Sequence, residues 1–202
     1  MTNSKVDYYI AILVGFLTGV FVLPTLFNLG LRERIIFLAL PLAVPVIFVA
    51  GIWVGGFVSR WFGFFSQLSK FAAVGFLNTA IDFGVLNVLS ILTGVTGGFI
   101  LGGVNVPGFS LAVINSYFWN KFWVFRDRTE KGVFEDFPKF LAVTLLGLLL
   151  NSGIVVFITT YVPPILPVGQ DVWLNIAKAA ATAVALVWNF VGYKFLVFRT
   201  KV

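Results

Sequence analysis

Six long apolar runs occupy most of this 202-residue chain and constrain its fold more than any other feature. Each run has about 20 residues, which lets one helix cross the hydrocarbon core of a bilayer. Only 11% of the residues are charged, whereas about a quarter are charged in a typical soluble domain. The runs therefore predict an all-α polytopic membrane protein with about six spans, at 8–29, 35–58, 69–92, 108–125, 139–161 and 172–197.

The sequence contains no cysteine and no histidine. These absences exclude disulfides, thiolate metal sites and thiol nucleophiles, together with an imidazole base and the common zinc, haem and copper sites. Catalysis would have to rest on eight carboxylates, most of which lie near the predicted membrane edges or in loops. We therefore expect a protein that is not an enzyme and that carries no catalytic residue, cofactor or metal.

The distribution of lysine and arginine predicts the orientation in the membrane. The net charge is +6, and most of the cations fall on one side if all six segments span, whereas the opposite loops, 93–107 and 162–171, contain none. By the positive-inside rule, both termini are expected in the cytoplasm, in a multi-pass protein of the cytoplasmic membrane. Arg32 and Arg34 are the exception, since they would lie outside. The first run is expected to be a retained helix and not a cleaved signal peptide.

The second part of the chain is an internal duplication. Residues 70–74 (KFAAV) match residues 139–143 (KFLAV), and residues 121–126 (KFWVFR) match residues 194–199 (KFLVFR). Each copy holds two spans, so the copies are expected to be parallel and related by an axis along the membrane normal. The first hairpin has no such match. The sequence therefore predicts an accessory hairpin in residues 1–60 and a four-helix membrane domain in residues 68–200.

Asp82 is the most unusual residue of the predicted spans. It lies twelve residues beyond Lys70, roughly 18 Å into the bilayer, where a carboxylate costs about 2.5–3.5 kcal/mol and should face a cavity or a partner. Its counterpart in the repeat, Asn151, lies at a similar depth, and so do Asn115 and Asn189. The pattern predicts a polar layer along an interior path. The alternative is that these groups only join helices by hydrogen bonds.

Cations recur at equivalent places near the cytoplasmic ends of both copies. They are Lys70, Lys121, Arg126, Lys139, Lys194 and Arg199. Topology and interfacial anchoring would explain most of them. The other interpretation is a basic pocket for a lipid phosphate. Lys121 and Lys194 favour the pocket, because each lies five residues, or roughly 7 Å, inside the terminal arginine.

These motifs resemble the GtrA-like family of small four-helix membrane proteins. The likeness covers about residues 68–200 and singles out Lys70, Gly75, Thr79, Asp82, Asn115, Lys121 and Arg126. Similar helices follow the catalytic domain in some dolichol-phosphate mannose synthases. The resemblance implies a role in cell-surface polysaccharide synthesis, by translocation of a polyprenyl-phosphate sugar such as undecaprenyl-phosphate glucose. The second copy departs from the pattern, since it has Asn151 in place of an acid and no clear counterpart of Thr79.

Three functions remain open from the sequence. In the first, a flippase for a polyprenyl-phosphate monosaccharide, the cations bind the phosphate. Thr79, Asp82 and the asparagines form hydrogen bonds with the sugar hydroxyls. In the second, a proton-coupled exporter similar to small multidrug resistance proteins, Asp82 exchanges protons for a cationic substrate. The lysines and arginines at the cytoplasmic ends of the helices would repel such a substrate. In the third, the chain is a non-transporting subunit that anchors a glycosyltransferase. The expected partners are the lipid-linked sugar, membrane lipids, glycosyltransferases of the same pathway and further copies of the chain, with no nucleic acid.

Overall fold

The computed structural model describes residues 3–95, 99–127, 132–164 and 170–198, and every regular element in those ranges is a helix. Seven α-helices follow one another, and five-residue π-helical turns extend the fifth and the seventh. In chain order they are α1 (Lys5–Phe21), α2 (Leu23–Asn28), α3 (Arg34–Val58), α4 (Phe65–Thr93), α5 (Phe99–Trp119, then the π turn Asn120–Val124), α6 (Phe137–Tyr161) and α7 (Gln170–Gly192, then the π turn Tyr193–Val197).

The predicted all-α polytopic class is confirmed. Helices α1 and α2 are interrupted at Val22 and together make one apolar stretch, so six long helices correspond to the six predicted segments. Within the described residues, five of them are long and apolar enough to cross a membrane. The fourth segment begins at Phe99 and not at residue 108, because the helix continues through Pro107 and the glycine-rich residues before it.

The N-terminal hairpin is held together by close backbone contact between α1 and α3. A Cβ atom added at Gly15 would lie 2.6 Å from the Cα of Pro45, and one at Gly19 would lie 2.8 Å from the Cα of Pro41. Glycines four residues apart share one helix face and let two membrane helices approach closely. The spacing of these two glycines is the sequence signal for this packing.

The chain divides into two compact units, Met1–Arg126 and Asp127–Val202. In the first unit, α4 contacts α1, α2, α3 and α5. Gly84 of α4 faces the carbonyl oxygen of Phe21 so closely that a Cβ would collide with it. The hairpin thus packs directly on the first repeat. The division into an accessory part, 1–60, and a four-helix domain, 68–200, stays a prediction.

In the second unit, α6 packs on α7. A Cβ added at Gly147 of α6 would collide with the side chain of Asn189, and one at Gly192 of α7 would lie 2.5 Å from Val143 Cγ1. The hydroxyls of Thr144 and Tyr193 share a hydrogen bond of 2.7 Å between the two helices. Small residues and a polar pair therefore bring α6 and α7 together.

The duplication is visible in the backbone as well as in the sequence. Both π-helical turns fall on the repeated motif, Lys-Phe-Trp-Val in the first unit and Lys-Phe-Leu-Val in the second. π-helical turns are rare and occur often at functional sites. Each turn places its lysine, Lys121 or Lys194, in the last turn of the second helix of its hairpin.

Candidate functional site

Two of the predicted phosphate ligands, Lys70 and Arg126, meet at one end of the first unit, where both bind the carboxylate of Asp7. Lys70 Nζ lies 2.8 Å from Asp7 Oδ1. Arg126 Nη2 lies 2.7 Å from each carboxylate oxygen. The side chains of Lys70 and Asp7 are only 5% and 1% exposed, whereas that of Arg126 is 44% exposed. The two cations therefore form an anion site that a carboxylate of this chain fills.

Uncharged donors complete the environment of the Asp7 carboxylate. Trp123 Nε1 donates to Oδ1 at 3.0 Å. The backbone N–H and the hydroxyl of Ser4 donate to Oδ2 at 2.8 and 3.0 Å. A buried charge is tolerated only when it is paired and hydrogen-bonded. This carboxylate meets both conditions, and we call Asp7, Lys70, Arg126 and Trp123 the Asp7 cluster.

The backbone that carries the cluster is itself unusual. Trp123 lies in the π-helical turn after α5, and Arg126 follows that turn with a positive φ of 49°. Residues with a side chain rarely adopt this left-handed conformation. Such backbone conformations concentrate at functional sites. Here the turn brings both the indole and the guanidinium to Asp7.

Lys121 and Lys194 have closely similar surroundings in their respective units. Lys121 is buried, and its Nζ lies 3.4 Å from the hydroxyl of Tyr117 and 5.6 Å from the centre of that ring. Lys194 Nζ lies 5.7 Å from the ring centre of Phe190 and 5.6 Å from that of Phe195. Each lysine thus contacts the aromatic ring four residues before it, which is a cation–π arrangement.

The remaining predicted cations belong to the second unit. Lys139 lies in the first turn of α6 and is exposed, in contrast to its buried counterpart Lys70. Arg199 lies outside the described residues. That the cations of both repeats line a basic pocket for a lipid phosphate stays a prediction.

The predicted polar layer of the first unit includes a hydrogen bond between α4 and α5. Asn115 Nδ2 donates to Asn78 Oδ1 at 2.7 Å, and Trp119 Nε1 donates to Asn115 Oδ1 at 3.0 Å. Asp82 lies one turn beyond Asn78. A Cβ added at Gly108 of α5 would lie 3.1 Å from Asp82 Oδ1, so this carboxylate is turned toward α5.

Asp82 and Thr79 differ in how their oxygen atoms are satisfied. Asp82 Oδ1 is buried and has no hydrogen-bond partner among the described residues. The hydroxyl of Thr79 donates to the carbonyl of Gly75 at 3.0 Å, and the side chain is exposed. Asp82 therefore keeps acceptor capacity next to α5, whereas the donor of Thr79 is used within its own helix. We call Asn78, Asn115 and Asp82 the polar seam.

The two asparagines of the second unit also face the partner helix of their hairpin. Asn151 Nδ2 of α6 donates to Thr182 Oγ1 of α7 at 3.4 Å. Asn189 of α7 lies against Gly147 of α6, and its buried Oδ1 has no partner within the described ranges. Both units therefore place amide or carboxylate groups between their two helices.

Sequence reasoning missed two members of these sites, Asp7 and Asn78, and it gave no binding role to Trp123, which lies in the repeated motif. Asp7 counts there as one of the acids near a membrane edge, and its only local signal is a Ser-x-x-Asp pattern before an apolar run, which predicts a helix start. Asn78 precedes Asp82 by four residues, so it lies on the same helix face and could have been found by that spacing.

Known proteins resemble this chain over the same region. A family model described as the GtrA/DPMS transmembrane domain matches residues 70–198. The chain is 30% identical over 131 residues to the membrane protein YngA of Bacillus subtilis (strain 168), which covers 65% of this chain and 78% of that protein. It is 27% identical over 92 residues to a dolichol-phosphate mannosyltransferase of Pyrococcus furiosus, which covers 46% of this chain and 25% of that protein. No solved structure matches.

Proposed function

Because this chain belongs to the GtrA/DPMS transmembrane-domain family, we propose that it translocates a polyprenyl-phosphate-linked monosaccharide across its membrane. Family membership ties this multi-pass membrane protein to polyprenyl-phosphate sugar pathways. The proposal adds the direction, from the cytoplasmic to the outer leaflet of the cytoplasmic membrane, with both termini in the cytoplasm. It also makes the chain a transporter and not an enzyme, which serves glycosyltransferases that build surface polysaccharides or glycosylate proteins.

The observation that most supports the proposal is that Lys70 and Arg126 together bind an oxyanion, the carboxylate of Asp7. Their nitrogen atoms lie 2.7–2.8 Å from the Asp7 oxygens, the distance of charge-assisted hydrogen bonds. A phosphodiester presents oxygen acceptors of the same kind and the same single negative charge. The site can therefore hold the phosphate of a lipid-linked sugar. Lys121, Lys139, Lys194 and Arg199 are proposed as further phosphate ligands.

The polar seam supports a route for the sugar. A hydroxyl that enters a low-dielectric interior without a hydrogen-bond partner costs roughly 2–7 kcal/mol. Asp82 Oδ1 is an unused acceptor next to α5, and the pair Asn78–Asn115 can exchange its own bond for bonds to hydroxyls. We propose that the sugar follows this seam beside Thr79, and that Asn151 and Asn189 bind sugar hydroxyls within the second unit, while the polyprenyl chain stays in lipid.

Transfer of a short-chain analogue into vesicles tests the proposal. The full chain is reconstituted in liposomes, and uptake of glucosyl farnesyl phosphate is measured. Arg126→Gln is expected to lower the rate at least tenfold, because it removes a half-exposed phosphate ligand. Arg60→Gln is the matched control, since Arg60 is exposed and outside the Asp7 cluster. Equal rates for the two variants, or no uptake above empty liposomes with the wild type, would refute the proposal.

The buried, unpartnered oxygen of Asp82 also suits a second function, proton-coupled export of a small cation. Asp82→Asn separates the two. The amide oxygen still accepts a hydrogen bond from a sugar hydroxyl, so a flippase should keep most of its transfer rate. An exporter should lose proton-driven efflux, because the amide cannot bind and release a proton. Absence of both activities from the wild-type protein would favour the third function, a membrane subunit that anchors a glycosyltransferase.

A further inference from the structure

The anion site of the first repeat already holds an anion, and that anion comes from outside the family region. Lys70, Trp123 and Arg126 all lie within the matched residues 70–198, whereas Asp7 precedes them on α1. Asp7 accepts contacts from each of the three at 2.7–3.0 Å. The hairpin that packs on the repeat thus supplies a ligand to the very cations to which the proposed function assigns the phosphate.

The charges of the cluster permit exchange of one anion for another. Lys70 and Arg126 carry two positive charges, and Asp7 neutralises one of them. A phosphodiester has the same charge as the Asp7 carboxylate, so replacing one by the other leaves the sum unchanged. Arg126 is 44% exposed, which gives an incoming head group a first contact while Lys70 is still covered.

Asn3 links the segment that carries Asp7 to the hairpin and to α4. Asn3 Nδ2 donates to the carbonyl of Ile52 at 2.6 Å, and the hydroxyl of Ser66 donates to Asn3 Oδ1 at 2.6 Å. Within the described residues, the hydroxyl of Ser4 bonds only to the side chains of Asp7 and Arg126, so Ser4 and Asp7 can move together. The contacts of Asn3 hold this segment in place and with it the Asp7 carboxylate.

We propose that Asp7 is an internal competitor of the lipid phosphate, so that the head group reaches Lys70 only when the start of α1 withdraws. The N-terminal hairpin then regulates access to the anion site. This inference rests on the proposed function. Its physical content is a conformational equilibrium, in which the open fraction of molecules sets the apparent affinity for the phosphate.

The affinity of the full chain for glucosyl farnesyl phosphate, measured by calorimetry in detergent micelles, tests the inference. Asp7→Asn is expected to bind at least ~10-fold more tightly than the wild type, because a minor open state is typically at most about 10% populated. Glu33→Gln is the matched control, as it removes one carboxylate from an exposed position of the same hairpin. Addition of Lys70→Met to Asp7→Asn should abolish the gain, which a purely structural role of Asp7 would not predict.

The outcomes separate the inference from the proposed function. Binding by the wild type with equal or weaker binding by Asp7→Asn would overturn the internal competitor and leave the flippase intact. Absence of binding by the wild type and every variant would overturn both.

A covalent lock provides a second test that keeps Asp7 in place. The chain has no cysteine of its own, so within one molecule the pair Asn3→Cys and Ser66→Cys can form only the bond between these two positions, and the intact mass of the monomer, lower by two hydrogens, verifies it. Oxidation should fix the start of α1 and weaken binding of the same probe at least ~10-fold, and reduction should restore it. Equal affinities in the two redox states would overturn the inference even if Asp7→Asn fails to fold.

Discussion

Removal of the Asp7 carboxylate should destabilise the protein more than removal of its lysine partner. Asp7→Asn leaves Lys70 charged and unpaired while its side chain is only 5% exposed, and loss of one partner from a buried ion pair costs about 3–5 kcal/mol. Lys70→Met leaves Asp7 with Arg126, Trp123 and Ser4. That change removes one charged hydrogen bond, which is worth about 1.5–3 kcal/mol.

A double-mutant cycle measures the coupling between the two residues. The variant with both Asp7→Asn and Lys70→Met has no buried unpaired charge, so it should be about 2 kcal/mol more stable than the sum of the single changes allows. Reversible unfolding in mixed detergent micelles, followed by tryptophan fluorescence, gives the free energies. Glu33→Gln should stay within about 0.5 kcal/mol of the wild type. Additive losses, or a loss below about 1 kcal/mol for Asp7→Asn, would refute the buried pair.

Two further predictions concern packing inside the first unit, and thermal unfolding in detergent measures both. Gly84→Ala should lower the free energy of unfolding by about 1–3 kcal/mol, because its Cβ would meet the carbonyl of Phe21. Gly75→Ala, with nothing within 4 Å, should leave that free energy unchanged or raise it by up to about 1 kcal/mol. Equal unfolding temperatures for the two variants would contradict the packing of α1 on α4. Asn115→Ala should lower the free energy of unfolding by about 0.6–1.7 kcal/mol, because it breaks the hydrogen bond to Asn78. Adding Asn78→Ala should lower it little further, and fully additive losses from the two changes would count against that hydrogen bond.

Only part of the candidate site could be predicted from the sequence, namely the residues marked by the internal repeat or by their expected depth in the membrane. Repeated lysines and arginines marked Lys70 and Arg126, and the distance from Lys70 marked the level of Asp82. These inferences need only the rise of a helix and the cost of charge in a bilayer. The partner of the two cations could not be found this way, since Asp7 is more than sixty residues away from either of them in the chain.

The polar layer shows the same division. The helical rise per residue predicted one depth in the membrane for Asn115 and Asp82, and the structure turns both side chains toward the interface of α4 and α5. Depth does not determine the direction of a side chain around its helix, however. Thr79 is exposed and bonds to its own backbone, although it lies only three residues from Asp82.

The sequence by itself determined the class of protein and the places of its helices, because runs of apolar residues have only one low-energy form in a bilayer, a helix that satisfies its own backbone. It also determined the duplication. The tertiary structure alone decided that α1 lies beside α4 and that the carboxylate of Asp7 reaches Lys70 and Arg126. Contacts between apolar helices depend on small residues and a few polar pairs, whose partners become apparent only when the helices are packed.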